Sequence, residues 1–475
     1  MTDGIARPVG QQAGRAAPLP IRVRRATPGD TRAVLDFTRA TWDGWDYVPS
    51  VWGEWLEAPD GVLLVALPAV THELDLFGRP LSLDRPIGIA RVAMLSAHEA
   101  WLEGLRVDPG VRTRGVARLI NAAGLEWARA QGATIVRYAT GEANEGSHRI
   151  AARSGFRMLR PWRSWQPPRD EDVDEEDAEA HAAERGDVEA DGDAPHDAAA
   201  DLDQFADLAD EPEGEVPEDV AARATGIELG PTERAEDEAT PPPGDGSRDD
   251  EGSRATAGRP AQSPAASPAE SRRRLRRAGL SLDPRSSLDE IDGWYARLTG
   301  DPTFRAGDGL CEARSWAFQE LTRERFVAHV RAGEVLVTRS ATDGRNETGA
   351  RRKLDDRPTH DRWALVVMPL STPRFAADRP WAAVAAGDGD ALLRLAIATR
   401  DALVRPIRLR LPDAAPALAG FADDFTRAGF PPASETLHLF ERALTEDAPI
   451  DTGPAGALTL EEAPRRVAAP YRDRE

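Results

Sequence analysis

The chain has 475 residues, too long for one ordinary domain, and its 41% hydrophobic content supplies material for real cores. Its formal charge of -21, from 60 Lys+Arg against 81 Asp+Glu, excludes a general binder of phosphate backbones, which needs a basic face. One cysteine, Cys311, excludes an intrachain disulfide. No apolar run would span a bilayer and no signal-peptide core is found, so a cytoplasmic protein is expected.

Residues 1–19, rich in Gly, Ala, Pro and Arg, read as a flexible tail. Between 20 and 167 strand and helix periods alternate. IRVRRAT is a strand, and Asp30 stands at an N-cap position before the helical spacing of TRAVLDFTRAT. SVWGEWLEAP gives a second helix ended by Pro59. GVLLVALPA, PIGIARVAML and AWLEGLRV read as three strands. A helix runs from about Arg114 to Gln131 and stops at Gly132. TIVRYATG is a strand, NEGSHRIAARSG a helix and FRMLRPWRSW a strand. The order β-α-α-β-β-β-α-β-α-β predicts an α/β domain with a mixed sheet flanked by helices.

Residues 168–282 are dense in carboxylates and poor in aromatics, which predicts a disordered acidic linker. It reads as a solvated tether, with LDQFADLAD as a segment for a transient helix or docking motif. Its basic end, SRRRLRRAGL, is either a helix end that pairs with the acidic tract or a patch for an acidic partner. Residues 283–445 repeat the order of elements with little identity, and AARSGF and FTRAGF end corresponding helices. An internal duplication is the economical reading. Residues 446–475 form a C-terminal tail. Lys353 is the sole lysine, and acidic residues with lysine avoidance fit a salt-adapted, acidic proteome or a GC-rich genome.

The chemistry concentrates in LRVDPGVRTRGVA, a strand, a basic turn and a helix start. A helix N-terminus offers unpaired amides and the positive end of the macrodipole. Arg112 and Arg114 add cationic donors, Gly115 lets a ligand approach the backbone, and Ala117 keeps the next contact open. Such a turn suits a pyrophosphate. Neither a P-loop nor a dinucleotide-binding glycine fingerprint is present, and the eight histidines show no metal-ligand spacing. Cys311 is either core packing or a nucleophile.

The turn Arg112-Thr113-Arg114-Gly115-Val116-Ala117, the preceding LEGLRVDP and the later NEGSHRIAARSGF together resemble the GCN5-related N-acetyltransferase (GNAT) family. The resemblance covers 20–167 well and 283–445 only in outline, as a degenerate GNAT-like domain. It implies that this turn grips the pyrophosphate of acetyl-CoA. Backbone groups of Leu105, Arg106 and Val107 would meet the thioester, and Asn144 and Ser147 would face the pantetheine. Family members often carry Tyr seven residues after the Asn as general acid, but here Ala151 stands there. His148, Tyr138 or no group would do that work. Glu103 and Glu99, on one face of a strand, are candidate general bases acting through water, or else solvated or ion-paired carboxylates. Trp42, Trp45, Asp46 and Tyr47 are the candidate acceptor wall, while Trp52 and Trp55 have core spacing.

The implied reaction moves an acetyl group from acetyl-CoA to a primary amine by direct attack, with no covalent enzyme intermediate and no metal. The acceptor would be a small molecule such as an amino acid, or a peptide N-terminus. A weaker resemblance to vertebrate histidine N-acetyltransferases points to an amino acid. The competing reading is an acyl-CoA-binding regulatory or scaffold protein without catalysis. Neither nucleic acid nor membrane is expected as a partner, and the two halves would pack together or the chain would form a homodimer.

Overall fold

The computed structural model describes residues 18–39, 41, 46–167, 267–314, 316–338, 362–370, 380–445, 447–454 and 457–461. Nearly all of 168–282, with LDQFADLAD, and most of 1–19 lie outside that set.

In the first half the elements follow the predicted order. They are β1 (Ile21–Arg25), α1 (Thr31–Thr38), α2 (Val48–Glu57), β2 (Gly61–Pro68), β3 (Gly88–Met94), β4 (Glu99–Val107), α3 (Val116–Gln131), β5 (Ile135–Gly141), α4 (Glu145–Arg153) and β6 (Arg157–Trp165). β2 is an unbroken apolar run because both its faces are covered. Leu63, Val65 and Leu67 pack with Val34, Val51 and Trp52 of α1 and α2. Val62, Leu64 and Ala66 pack with Leu119, Ile120 and Ala123 of α3.

The second half begins earlier than the composition indicated. Residues 268–277 are a helix, α5 (Pro268–Arg277), with Leu275 fully buried, so the basic end of the acidic segment is structured. Its arginines pair locally: Arg273 and Arg274 with Glu270, and Arg272 with Glu334. There follow α6 (Leu288–Gly300), α7 (Pro302–Ala306), β7 (Leu310–Arg314), β8 (Ala317–Glu320), α8 (Arg323–Arg331), β9 (Val335–Val337), β10 (Ala364–Val367), β11 (Trp381–Ala382), β12 (Val384–Gly387), α9 (Gly389–Leu403), β13 (Arg408–Pro412), α10 (Ala422–Arg427) and β14 (Pro432–Ala443). The tail is structured in part, since β15 (Leu458–Leu460) pairs in parallel with β1. At the other terminus Leu19 is fully buried and its amide bonds the Arg114 carbonyl at 3.0 Å.

The two halves share one ten-stranded sheet, ordered β11-β13-β6-β14-β5-β4-β3-β2-β1-β15. The last strand of each half lies against the other half. β14 sits between β5 and β6, and β6 sits between β14 and β13. The order reads alike from either side of the β14–β6 pair. Two antiparallel steps lead outward to β5 or β13, and each of these pairs in parallel with the next strand, β4 or β11. The hairpin β7–β8 covers the seam, where Phe318 meets Trp101 and Trp162 at ring-centroid distances of 6.2 and 4.9 Å.

Candidate active site

β4 and β5 pair at only three positions, ending at Trp101 with Arg137, although both strands continue. Beyond that point β5 stays bonded to β14 as far as Gly141. A cleft therefore opens between β4 and β5. A bulge shapes its β4 wall: two steps along β3, Ile89 to Arg91, oppose three along β4, Arg106 to Glu103. Gly104 absorbs the extra residue at φ +67°, and a Cβ there would lie 2.5 Å from the Trp55 ring. The bulge resets the alternation. Leu102, Leu105 and Val107 pack on the α3 side, whereas Arg106 points to the α1–α2 side.

At the mouth of the cleft β4 runs into the turn and α3. Gly115, at φ +78°, is the N-cap, and a Cβ on it would find nothing closer than 4.0 Å. The first-turn amides of Val116, Ala117 and their successor have no intrahelical acceptor. Arg112 and Thr113 are exposed, Thr113 at φ +64°. Arg114 differs from the free donor expected. Its guanidinium is buried, bonding Glu73 at 2.7 Å and the Leu74 carbonyl at 3.1 Å, and so fastens the β2–β3 loop to the turn.

On the α1–α2 side, the Asp46 carboxylate takes two bonds from Arg106, at 2.8 and 3.0 Å. Tyr47 lies with its ring 5.4 Å from that guanidinium and 5.9 Å from Trp55. The ring is 45% exposed, yet burial of its hydroxyl end beside Gly104 pushes the phenol up to about 12, so it stays protonated at neutral pH. Trp42 and Trp45 lie outside the described residues. Trp52 and Trp55 are buried core.

The two carboxylates proposed as bases separate. Glu103 pairs with Arg91, which is also held by Asp60 at 2.6 Å and lies 5.6 Å from the Trp55 ring. Arg91 thus bridges two carboxylates beside the bulge. Glu99 is a structural group. It accepts from Arg137 (2.7 Å), Arg325 (2.6 Å), the Glu320 amide (2.8 Å) and Ser96 (3.1 Å). Burial opposes its charge, but the amide and the two arginines outweigh burial and hold the carboxyl below its usual range. A carboxylate so fully bonded at the closed end of the cleft is a poor base.

His148 is not aimed into the cleft. Its ring rests on His438 and Phe440 of β14, with centroids 5.1 and 5.3 Å away, and β14 lies on the far side of β5 from β4. Asn144 accepts from the Ser147 amide at 3.1 Å and caps α4, so its carboxamide has a local partner. Tyr138 donates to the Ser147 carbonyl at 3.0 Å, and burial raises its phenol. Ala151 is buried in the α3 core. Cys311 is fully buried and burial pushes its thiol up to about 12, which removes it as a nucleophile. Sequence reasoning missed Arg91, although an arginine inside the apolar strand PIGIARVAML had to find buried partners. It also missed Phe440 and Arg325, which reach the site from the other half.

Residues 40–156 match the acetyltransferase (GNAT) family. The match takes in the cleft, the turn and α4, and stops before β6. None of the curated proteins compared with the chain matches it. Among solved structures, NAA60 of Arabidopsis thaliana in complex with a bisubstrate analogue is 19% identical, covering 30% of this chain and 87% of that one, at a TM-score of 0.25. The same plant protein with acetyl-CoA gives 19%, 30%, 86% and 0.25. Ard1 from Thermoplasma volcanium is 20% identical, with coverages of 30% and 87% and a TM-score of 0.23.

Outside the GNAT match, the corresponding helix start in the second half is closed. Asp388 caps α9, accepting from the Ala391 amide at 3.2 Å. A Cβ on Gly389 would lie 2.2 Å from the Ala417 carbonyl and 2.5 Å from the Phe421 ring. Among the described residues, no group of three or more His, Cys, Asp or Glu could hold a metal, and no helix is long and apolar enough to cross a membrane.

Proposed function

We propose that the chain is an acetyl-CoA-dependent N-acetyltransferase acting on a primary amine. The observation that carries the reading is the β4–β5 cleft opening onto an α3 start whose N-cap glycine has, among the described residues, only Pro18 at 4.0 Å from an added Cβ, within residues that match the GNAT family. The turn fits a pyrophosphate because the first-turn amides of Val116 and Ala117 have no intrahelical acceptor, Arg112 is exposed, and among the described residues only Pro18 comes within 4.0 Å of a Cβ placed on Gly115. Acetyl-CoA, when bound, would supply an activated thioester acyl group. The edge of β4 beyond Trp101, including Leu105 to Val107, presents backbone donors toward the acyl oxygen. The acceptor amine enters from the α1–α2 side, between Tyr47, Trp55 and the Arg91–Glu103–Asp60 cluster. That cluster attracts a cation, and Glu103 takes its proton directly or through water. Direct attack by the amine needs no acyl-enzyme, so no nucleophile from the protein is called for.

The second half reads as a degenerate GNAT-like domain. The mirrored strand order supports this, as does an α9 start filled by Asp388, Ala417 and Phe421. A small-molecule acceptor such as an amino acid, or a peptide N-terminus, and a cytoplasmic location complete the reading. A binding protein without catalysis is the second reading, favoured by Ala151 in the core and His148 turned to β14. Coenzyme A release from acetyl-CoA, assayed with amino acids, polyamines and peptide N-termini, separates the two. An amine that accelerates release supports the enzyme. Binding of acetyl-CoA with no amine accelerating its consumption rejects catalysis.

A further inference from the structure

We propose that the β2–β3 loop is the nucleobase platform of this coenzyme site, with the adenine ring of the bound coenzyme lying on Phe77. The inference rests on the coenzyme reading above. Large exposed apolar side chains occur singly over the rest of the described surface. Here Leu74, Leu76 and Phe77 stand within four residues at 52%, 56% and 67% exposure. The loop is nonetheless tightly built. The Asp75 carboxylate accepts from the Phe77 amide (2.9 Å), the Arg79 amide (2.8 Å) and Arg79 Nε (2.6 Å). Arg79 lies 5.0 Å from the Phe77 ring centroid, and Leu74 bridges to Pro80.

This tip is bolted to the anion turn. The Leu76 amide bonds the Gly110 carbonyl at 2.7 Å, and Arg114 holds Glu73 and the Leu74 carbonyl. Arg79 Nη2 lies 3.3 Å from where a Cβ on Gly110 would stand, so a second cation adjoins the turn. Strand order gives the direction. The cleft lies on the β5 side of β4, and the loop lies on the β3–β2 side. A ligand that leaves the cleft and crosses the α3 start continues onto the loop. An aromatic ring held in place beforehand stacks on a base with little ordering cost.

The test compares two thioesters on the full chain by isothermal titration: acetyl-CoA, and acetyl-phosphopantetheine, which lacks the adenosine portion. Phe77→Ala should weaken acetyl-CoA binding by about tenfold, the scale of one base–aromatic stack, and leave the short thioester unchanged. Phe77→Trp should restore acetyl-CoA affinity. Unaltered acetyl-CoA binding by Phe77→Ala, or an equal loss on both ligands, overturns the platform. Failure of the wild-type chain to bind either thioester instead overturns the coenzyme reading beneath it.

Discussion

Tyr138 of β5 stacks on Phe440 of β14 with ring centroids 5.1 Å apart and planes 13° from parallel. The two residues are some three hundred positions apart in sequence, and the contact sits directly under α4. Beside it Arg137 bonds Glu441 at 2.8 Å, and Arg442 bonds the Ser154 carbonyl at 2.5 Å. The floor of α4 is thus built largely from the second half. Residues 18–167 expressed alone would expose both edges that β14 occupies. We expect that fragment to lack cooperative unfolding and dispersed amide resonances, and co-expression with residues 267–461 to restore both. A well-folded 18–167 fragment would contradict the shared sheet.

The glycines at the starts of α3 and α9 should respond oppositely to alanine. At Gly115 the cost to the fold is the left-handed φ, about 1 kcal/mol, because among the described residues the added methyl enters a space where only Pro18 Cβ comes near, at a strain-free 4.0 Å. That space is the proposed pyrophosphate cradle, so Gly115→Ala should lose coenzyme affinity with a small change in Tm. At Gly389 the methyl meets the Ala417 carbonyl and Phe421. Gly389→Ala should cost several kcal/mol, about 2–4, in denaturant unfolding. Its folded fraction should bind acetyl-CoA as the wild type does.

Much of this was legible in the sequence because periodicity reports burial directly. β2 is buried on both faces and reads as an unbroken apolar run; α3 shows its stripe between two glycines. The glycine-led start of α3 was legible for the same local reason. What stayed hidden was non-local. Nothing in ETLHLFERAL says that it pairs with TIVRYATG rather than with its own neighbours, since a strand's period fixes its faces and not its partners. Which of its two readings Glu99 takes, base or ion-paired carboxylate, stayed hidden likewise. Its partners Arg325 and Glu320 arrive from the other half, and spacing along one strand could not reveal them. Arg114 looked like a ligand donor because Glu73 and Leu74 lie forty positions away.

Glu99 gives the pH dependence a sign. Its folded pKa lies below the usual value, so its contribution to stability is complete above the unfolded value of about 4.3. The contribution disappears as pH falls through the lowered folded value. Glu99→Gln should therefore destabilise at pH 7 by about 2–4 kcal/mol, leaving Arg137 and Arg325 without their shared anion. The gap between variant and wild type should shrink steadily below pH 4. A gap that is constant from pH 7 to pH 3 would mean the carboxylate charge contributes nothing.

Glu103 is the proposed base: its carboxylate lies beside the bulge and Arg91 holds it. Asp60 shares the same guanidinium. Glu103→Gln should retain the geometry, since the amide can still accept from Arg91, and should leave the Kd for acetyl-CoA within about twofold. If Glu103 takes the acceptor's proton, kcat falls about 10²–10⁴-fold. The loss should narrow at high pH, where more of the amine is already neutral. Asp60→Asn should lower kcat less, because Asp60 reaches the acceptor only through Arg91. A Glu103→Gln variant with wild-type kcat at every pH would assign the proton to water and leave the cluster the task of attracting the amine.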